Sequence, residues 1–284
     1  YSLLYHVIIT AEDKPVPENA PFICIRLTGT NALSALHGQC TQDLSMALEN
    51  QSPLALFCDP KGRVFGTVRV YQENKTTHLI TASDQAMNLL NHIRPFLQLA
   101  RVEANILEKP VVLTMQSSES MKPGQLNESS EKILIGEHGN TLWTINDKKI
   151  KHDTEADCAR LTAGFGFVRE GSKNSLLPQQ AHYQMLNGVS FTKGCYTGQE
   201  VIARLEHLGR VKKSLKILKT SKLIFPGDLI QSGSFSNLLV FDSQQTEKGS
   251  VALVLAPEDA SSEELTNVPF SVSRQVAGQR PVKL

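Results

Sequence analysis

The densest potential for chemistry lies in Lys193-Gly194-Cys195-Tyr196-Thr197-Gly198-Gln199-Glu200. Thr197 and Glu200 stand at the Thr-x-x-Glu spacing of a capping box, directly before the apolar stripe Val201, Leu205 and Leu208. Gly209 would close that helix. The spacing sets Cys195 two residues ahead of the helix cap, at the positive end of the dipole, with Lys193 nearby. Both features favour thiolate over thiol, and the thiolate is the nucleophile. Gly194 and Gly198 would allow unusual backbone angles or close approach to a ligand. The same pattern also suits a structural cysteine buried in a strand-to-helix turn.

Two further clusters are polar turns. Asp59-Pro60-Lys61-Gly62-Arg63 could hold Lys61 and Arg63 over an anion, although a solvated hairpin tip uses the same residues. Gly38-Gln39-Cys40-Thr41-Gln42-Asp43 could contact a heterocycle or simply end a helix. Arg204, Arg210, Lys212, Lys213, Lys216, Lys219 and Lys222 form a basic run that could attract a polyanion. No aromatic residues interleave it, so a solvated face is the plainer account, and direct tRNA contact is not expected. Histidine spacings of the HxxxH or HxH kind, a P-loop, a GxGxxG fingerprint and a GxSxG elbow are all missing, so no metal site is expected.

The elements that must position these residues read as mixed α and β. Strands are expected at 22–27, 54–58, 64–71, 78–81, 111–115, 133–135 and 141–145, with helices at 31–37, after Ser83, and at 156–163. Pro95 should kink or end the second helix. Residues 116–132 read as a polar loop. From residue 215 onward, short apolar runs between Pro, Gly, Ser and Asn suggest a small all-β module. The 284 residues, with 40% hydrophobic and 20% charged, describe a globular chain of about two domains. Lys and Arg number 29 against 28 Asp and Glu, which excludes a broadly basic nucleic-acid coat and an acidic tail. The five cysteines are odd in number and widely spaced, which fits a reducing compartment better than a disulfide framework. No apolar run spans a membrane, and the start Tyr1-Ser2-Leu3-Leu4 lacks the basic flank of a signal peptide.

KGCYTGQE at 193–200, followed by VIAR, resembles the signature of the YgfZ family, relatives of the glycine-cleavage T-protein. The GQCTQD turn at 38–43, the CDPKGR hairpin at 58–63 and the RLTAG run at 160–164 are similar to other segments of that family, in its order. The resemblance implies an α+β fold: a T-protein-like body of ferredoxin-like subdomains at 1–214 and a small C-terminal β-barrel at 215–284. It implies tetrahydrofolate or another reduced folate as cofactor, and iron–sulfur enzymes, including tRNA-thiolating ones, as clients. An accessory factor rather than a classical enzyme is then expected, in the bacterial cytoplasm or the mitochondrial matrix. Cys195 becomes the candidate reactive thiol. Lys193, Gly194, Tyr196, Gly198, Gln199, Glu200, Arg204, Gln39, Asp43, Lys61 and Arg63 become candidates for holding the folate. The alternative is a folate-dependent aminomethyltransferase. Against it, Gly66, Thr67 and Thr162 stand where the resemblance places carboxylates of the T-protein.

Overall fold

A computed structural model describes residues 20–116, 121–129, 132–146, 151–232, 235–267, 270–274 and 282–283. The chain start read above lies outside these residues. Alternating apolar runs build the first sheet from β1 (Phe22–Thr28), β2 (Leu54–Cys58), β3 (Val64–Glu73), β4 (Thr76–Ala82) and β5 (Glu103–Leu107). Its antiparallel pairings give the order β2-β3-β4-β1-β5. Without β2, this is the order of a ferredoxin-like split βαβ sheet. One face carries Ile23, Ile25, Leu27, Val68, Val70 and Leu79, covered by α1 (Ala32–His37) and α2 (Ala86–Leu99). The period-2 pleat turns Phe22, Cys24, Leu56, Tyr71 and Ile80 to the opposite, inner face. Pro95 sits inside α2 without ending it, because Leu89, Leu90, Ile93 and Leu97 bury a continuous stripe on both sides of it.

The second sheet has the order β6-β9-β8-β7, from β6 (Val111–Met115), β7 (Leu126–Glu128), β8 (Lys132–Glu137) and β9 (Thr141–Asn146). The stretch expected as a loop at 116–132 thus contributes β7. The third sheet is the C-terminal one, with β10 (Lys213–Thr220), β11 (Leu229–Ser232), β12 (Phe235–Thr246), β13 (Gly249–Pro257), β14 (Phe270–Arg274) and β15 (Val282–Lys283). Its order is β10-β13-β12-β11-β14-β15, an open six-stranded sheet among the described residues rather than the expected closed barrel. α5 (Ser262–Asn267) packs against β10, and its Leu265 joins Leu218, Ile230, Val240 and Val254 in a separate small core. A helix rather than β10–β15 pairing thus completes that core.

The three sheets meet around an aromatic cluster. Phe22 lies 4.7 Å from the Trp143 ring and 5.0 Å from the Phe167 ring, centroid to centroid. Phe241 and Leu253 of the third sheet enter the same core. α3 (Thr154–Thr162) ties the third sheet down through charge: Arg160 Nη1 donates to Asp242 at 2.7 Å, and Arg160 Nε donates to Asp157 at 2.6 Å. Among the described residues no helix is long and apolar enough to cross a membrane.

Candidate functional site

The signature segment is locked to both polar turns. The Lys193 side chain is buried, and its ammonium donates to the backbone carbonyls of His37, Cys40 (2.8 Å) and Gln42 (3.1 Å). It also lies 5.3 Å from the centre of the Tyr196 ring. Burial pulls the Lys193 pKa below its ordinary value. Its donors are committed to carbonyls of residues 37–42, so Lys193 is a clamp rather than an open ligand contact. Thr41 and Gln42 complete the attachment: Thr41 Oγ1 donates to the Gly188 carbonyl at 2.6 Å, and Gln42 Nε2 to that of Asn187 at 2.7 Å.

Gly198 makes the second lock. It caps α4 (Gln199–Leu208) at φ 83°, where a Cβ would sit 2.6 Å from the Asp59 carbonyl oxygen and 2.8 Å from Gly62 Cα. The expected Thr197–Glu200 capping box therefore does not form: close packing of Gly198 on the hairpin moves the cap one residue on, and no side chain caps it. Gly62 answers it at φ 74°, with a Cβ position 3.3 Å from Val201 and Ile202 atoms of α4. Asp59 shapes the hairpin by accepting from the Lys61 and Arg63 amides at 2.8 and 2.9 Å. Gly198→Ala should lose about 1–3 kcal/mol from backbone strain alone. Differential scanning calorimetry should show a melting point several degrees lower, whereas Gly194→Ala, whose Cβ would meet nothing within 4 Å, should leave it unchanged.

The three polar segments thus converge, but not all their side chains face one place. Cys195, Gly194, Glu200, Arg204, Lys61 and Arg63 are exposed, while Gln39, Asp43, Gly198 and Gln199 are half-buried and Tyr196 is buried. The Asp43 carboxylate is spent on the Ser45 amide at 2.9 Å, which holds its pKa down. The other four cysteines separate cleanly from Cys195. Burial pushes the Cys24 thiol up to about 12 and Cys40 up to about 11, and raises Cys58 and Cys158 too. Among the described residues no group of three His, Cys, Asp or Glu side chains could hold a metal ion.

A cavity of about 140 Å³ opens between the first two sheets, on the inner-face side of β3. Its walls include Ser52, Leu54, Arg69, His138, Met185 and Asn187. Behind it, fully buried Glu137 accepts from Arg69 Nε at 2.7 Å, from a second Arg69 nitrogen, and from Trp143 Nε1 at 2.9 Å. The His138 amide (3.0 Å) and His138 Nδ1 (2.7 Å) complete its shell. Burial alone would raise the Glu137 carboxyl, but the Arg69 charge and these hydrogen bonds hold it well below the usual carboxylate range. From sequence these residues read only as parts of strands and of the 136–140 hairpin turn, not as site candidates. The available signal was a lone Arg in the apolar strand 64–71 and a lone Glu after Ile133-Leu134-Ile135-Gly136.

The chain is 30% identical over 250 residues to "tRNA-modifying protein YgfZ" of Hamiltonella defensa, an alignment covering 75% of this chain and 74% of that one. The chain belongs to the YgfZ family. YgfZ proteins of Colwellia psychrerythraea and Escherichia fergusonii match at 27% and 26% identity, over 72% and 70% of this chain and 71% and 70% of their own. No family model matches the sequence. Among solved structures, the glycine cleavage system aminomethyltransferase T of Bartonella henselae shares the fold, with a TM-score of 0.60 at 13% identity. That likeness covers 92% of this chain and 82% of the other. For a YgfZ-family chain the expected group is a folate, and the cavity can be tested against it. A void of about 150 Å³ can take one six-membered ring, whereas a drug-sized ligand fills roughly 300 Å³ or more. Ser52 is a lining residue, but its hydroxyl is fully buried and has no hydrogen-bond partner. At about 140 Å³ the cavity is therefore smaller than the bicyclic ring system of a folate, and it alone does not house that group.

Proposed function

We propose that the chain is a folate-binding accessory factor for the assembly or repair of iron–sulfur enzymes, including those that thiolate tRNA, with Cys195 as its reactive thiol. The observation carrying this reading is the exposure of Cys195 on a loop held on one side by the Lys193 carbonyl clamp and on the other by Gly198 against the hairpin. Such a loop presents one thiol to a partner at fixed geometry, while the remaining cysteines stay shielded or weakly acidic. The printed name of the relatives, tRNA-modifying protein, supports the tRNA side of the proposal. When bound, a reduced folate supplies a one-carbon carrier. The chain's own part is to bind it near the convergence of the signature segment with the two polar turns. Residues 1–214 would carry this site and 215–284 would buttress it. The free exposed thiol suits a reducing compartment, the cytoplasm or the mitochondrial matrix.

The aminomethyltransferase reading asks for carboxylates that these positions do not supply. Gly66 packs towards α2, its Cβ position 3.3 Å from Leu89. Thr67 is buried with its hydroxyl 3.3 Å from Tyr183 Oη, and Thr162 is an exposed alcohol. Isothermal calorimetry should show saturable binding of tetrahydrofolate. An assay with aminomethylated carrier protein should show methylene-tetrahydrofolate formation far below the roughly 1 per second of ordinary enzymes. Turnover at or above that rate would overturn the accessory-factor reading, and absence of binding at millimolar tetrahydrofolate would overturn the folate part of it.

A further inference from the structure

A second cavity, of about 210 Å³, opens between the first and second sheets and shares no lining residue with the one beside Arg69. Strand register builds one wall. Arg26 of β1 stands opposite His78 of β4, His78 opposite Tyr71 of β3, and Thr76 opposite Glu73. The period-2 pleat puts these residues on the inner face, next to the row of Cys24, Ile80 and Arg69. The facing wall comes from the second sheet, where Lys132 pairs with Asn146 and Ile133 with Ile145. Leu107 and Lys109 close the side at the end of β5.

The charge in this space is one-sided. Arg26, Lys109 and Lys132 line it against a single carboxylate, that of Glu73. Among the described residues the side chains of Arg26 and Lys132 make no hydrogen bond or ion pair, and both are exposed. His78 brings no charge of its own. Its ring is stacked on Tyr71, 4.7 Å away between centroids, and burial lowers its pKa to about 4, with the Arg26 and Lys109 charges adding to the effect. Both cations therefore act on the same lining histidine. Charges set around a concave, low-dielectric space focus their field into it, and this field attracts an anion.

Geometry and size narrow that anion. A planar carboxylate is served in one plane by a single Arg fork, whereas a tetrahedral phosphate offers oxygens to donors on two walls. Arg26 and Lys132 come from different sheets. Glu73, 3.8 Å from His78 Nε2, is a carboxylate that only accepts, so the ligand must also bring a hydrogen-bond donor. The volume exceeds the roughly 150 Å³ that takes a six-membered ring and falls short of the roughly 300 Å³ of a drug-sized ligand. A nucleotide or a whole folate is too large to be enclosed. We propose that this cavity binds the phosphate monoester of a small polyol, with the phosphate between Arg26 and Lys132 and a hydroxyl donating to Glu73. The site does not rest on the folate reading.

The full chain is titrated with glycerol 3-phosphate, inorganic phosphate and succinate at about 0.15 M salt, by calorimetry and by NMR of the His78 ring protons. Glycerol 3-phosphate should bind saturably and move the His78 resonances, with inorganic phosphate about 3-fold weaker and succinate weaker still. Arg26→Gln and Lys132→Gln should each weaken glycerol 3-phosphate about 10-fold and leave thermal melting unchanged, since both side chains are exposed and unpaired among the described residues. Glu73→Gln should tighten inorganic phosphate by removing a like charge, and so narrow the preference for glycerol 3-phosphate. Tetrahydrofolate affinity should be the same in all three variants as in wild type. Glycerol 3-phosphate that does not bind at millimolar concentration, or binds without moving His78, overturns the proposal. Succinate that binds as tightly overturns it too, because the cavity then gathers any dianion. A parallel loss of tetrahydrofolate binding in Arg26→Gln would make the cavity part of a folate site and overturn its independence. If the wild type binds glycerol 3-phosphate as expected but no tetrahydrofolate, the folate reading fails and this site stands.

Discussion

Cys195→Ser should abolish rescue of iron–sulfur enzyme activity in cells lacking their own YgfZ-family protein, while the purified variant melts with the wild type. The side chain is exposed on a loop whose position is set by its neighbours, so exchanging sulfur for oxygen removes no buried contact. Surface changes of this kind stay within about 0.5 kcal/mol. What serine removes is thiolate chemistry, because an alcohol does not ionise near neutral pH. Peptide mapping after iodoacetamide treatment of the native protein should find Cys195 labelled first. Cys24, Cys40 and Cys58 should follow only on unfolding, since burial both shields them and raises their pKa. A serine variant that rescues as well as wild type would make Cys195 dispensable and move the function elsewhere on the chain. Cys195→Ala controls for the residual hydroxyl, and it should fail to rescue in the same way.

The strands and most helices were legible because their signal is local. Alternation in 22–27 and 64–71 follows from a sheet with one face under helices and the other in a shared core, and the structure places those strands within a residue or two. The C-terminal module was legible as all-β but not in its closure, because closure depends on whether β10 finds a strand or a helix, and α5 is a short polar-looking segment. The convergence of the signature with both polar turns was legible only through family order. Contacts such as Lys193 with Cys40 or Gly198 with Gly62 join residues over a hundred positions apart, and nothing in spacing announces them. The same non-locality misdirected the reading of Lys193, which looks from sequence like a charge for a neighbouring thiol. In the fold its ammonium is turned into three carbonyls. Gly198 shows a local rule overridden by tertiary contact, since a good capping-box sequence yields to the demand for a Cβ-free position against Asp59.

Glu137→Gln should be the most destabilising single change in the body of the protein. The side chain is fully buried, and its two oxygens serve Arg69, Trp143 and His138. Neutralising it leaves the Arg69 guanidinium buried without a counter-charge, and breaking such pairs costs about 3–5 kcal/mol. Against a total of roughly 5–15 kcal/mol for a domain, that is a large fraction, and urea unfolding should show a midpoint lowered accordingly at unchanged slope. Removing both partners in Arg69→Met, Glu137→Leu should recover most of the loss, because the desolvation penalty disappears together with the attraction. A double variant no better than Glu137→Gln would mean that the cost comes from packing against Trp143 rather than from charge. The pH dependence adds a second readout. The folded carboxyl is held far below its unfolded value of about 4.3, so the stabilisation is complete above that pH. As pH falls below about 4, the unfolded chain binds a proton that the folded chain refuses, and stability declines progressively towards the folded pKa. Glu137→Gln should flatten that part of the acid limb, since glutamine has no proton to bind, and the difference between the two curves should be largest at neutral pH and shrink as the acid limb is descended.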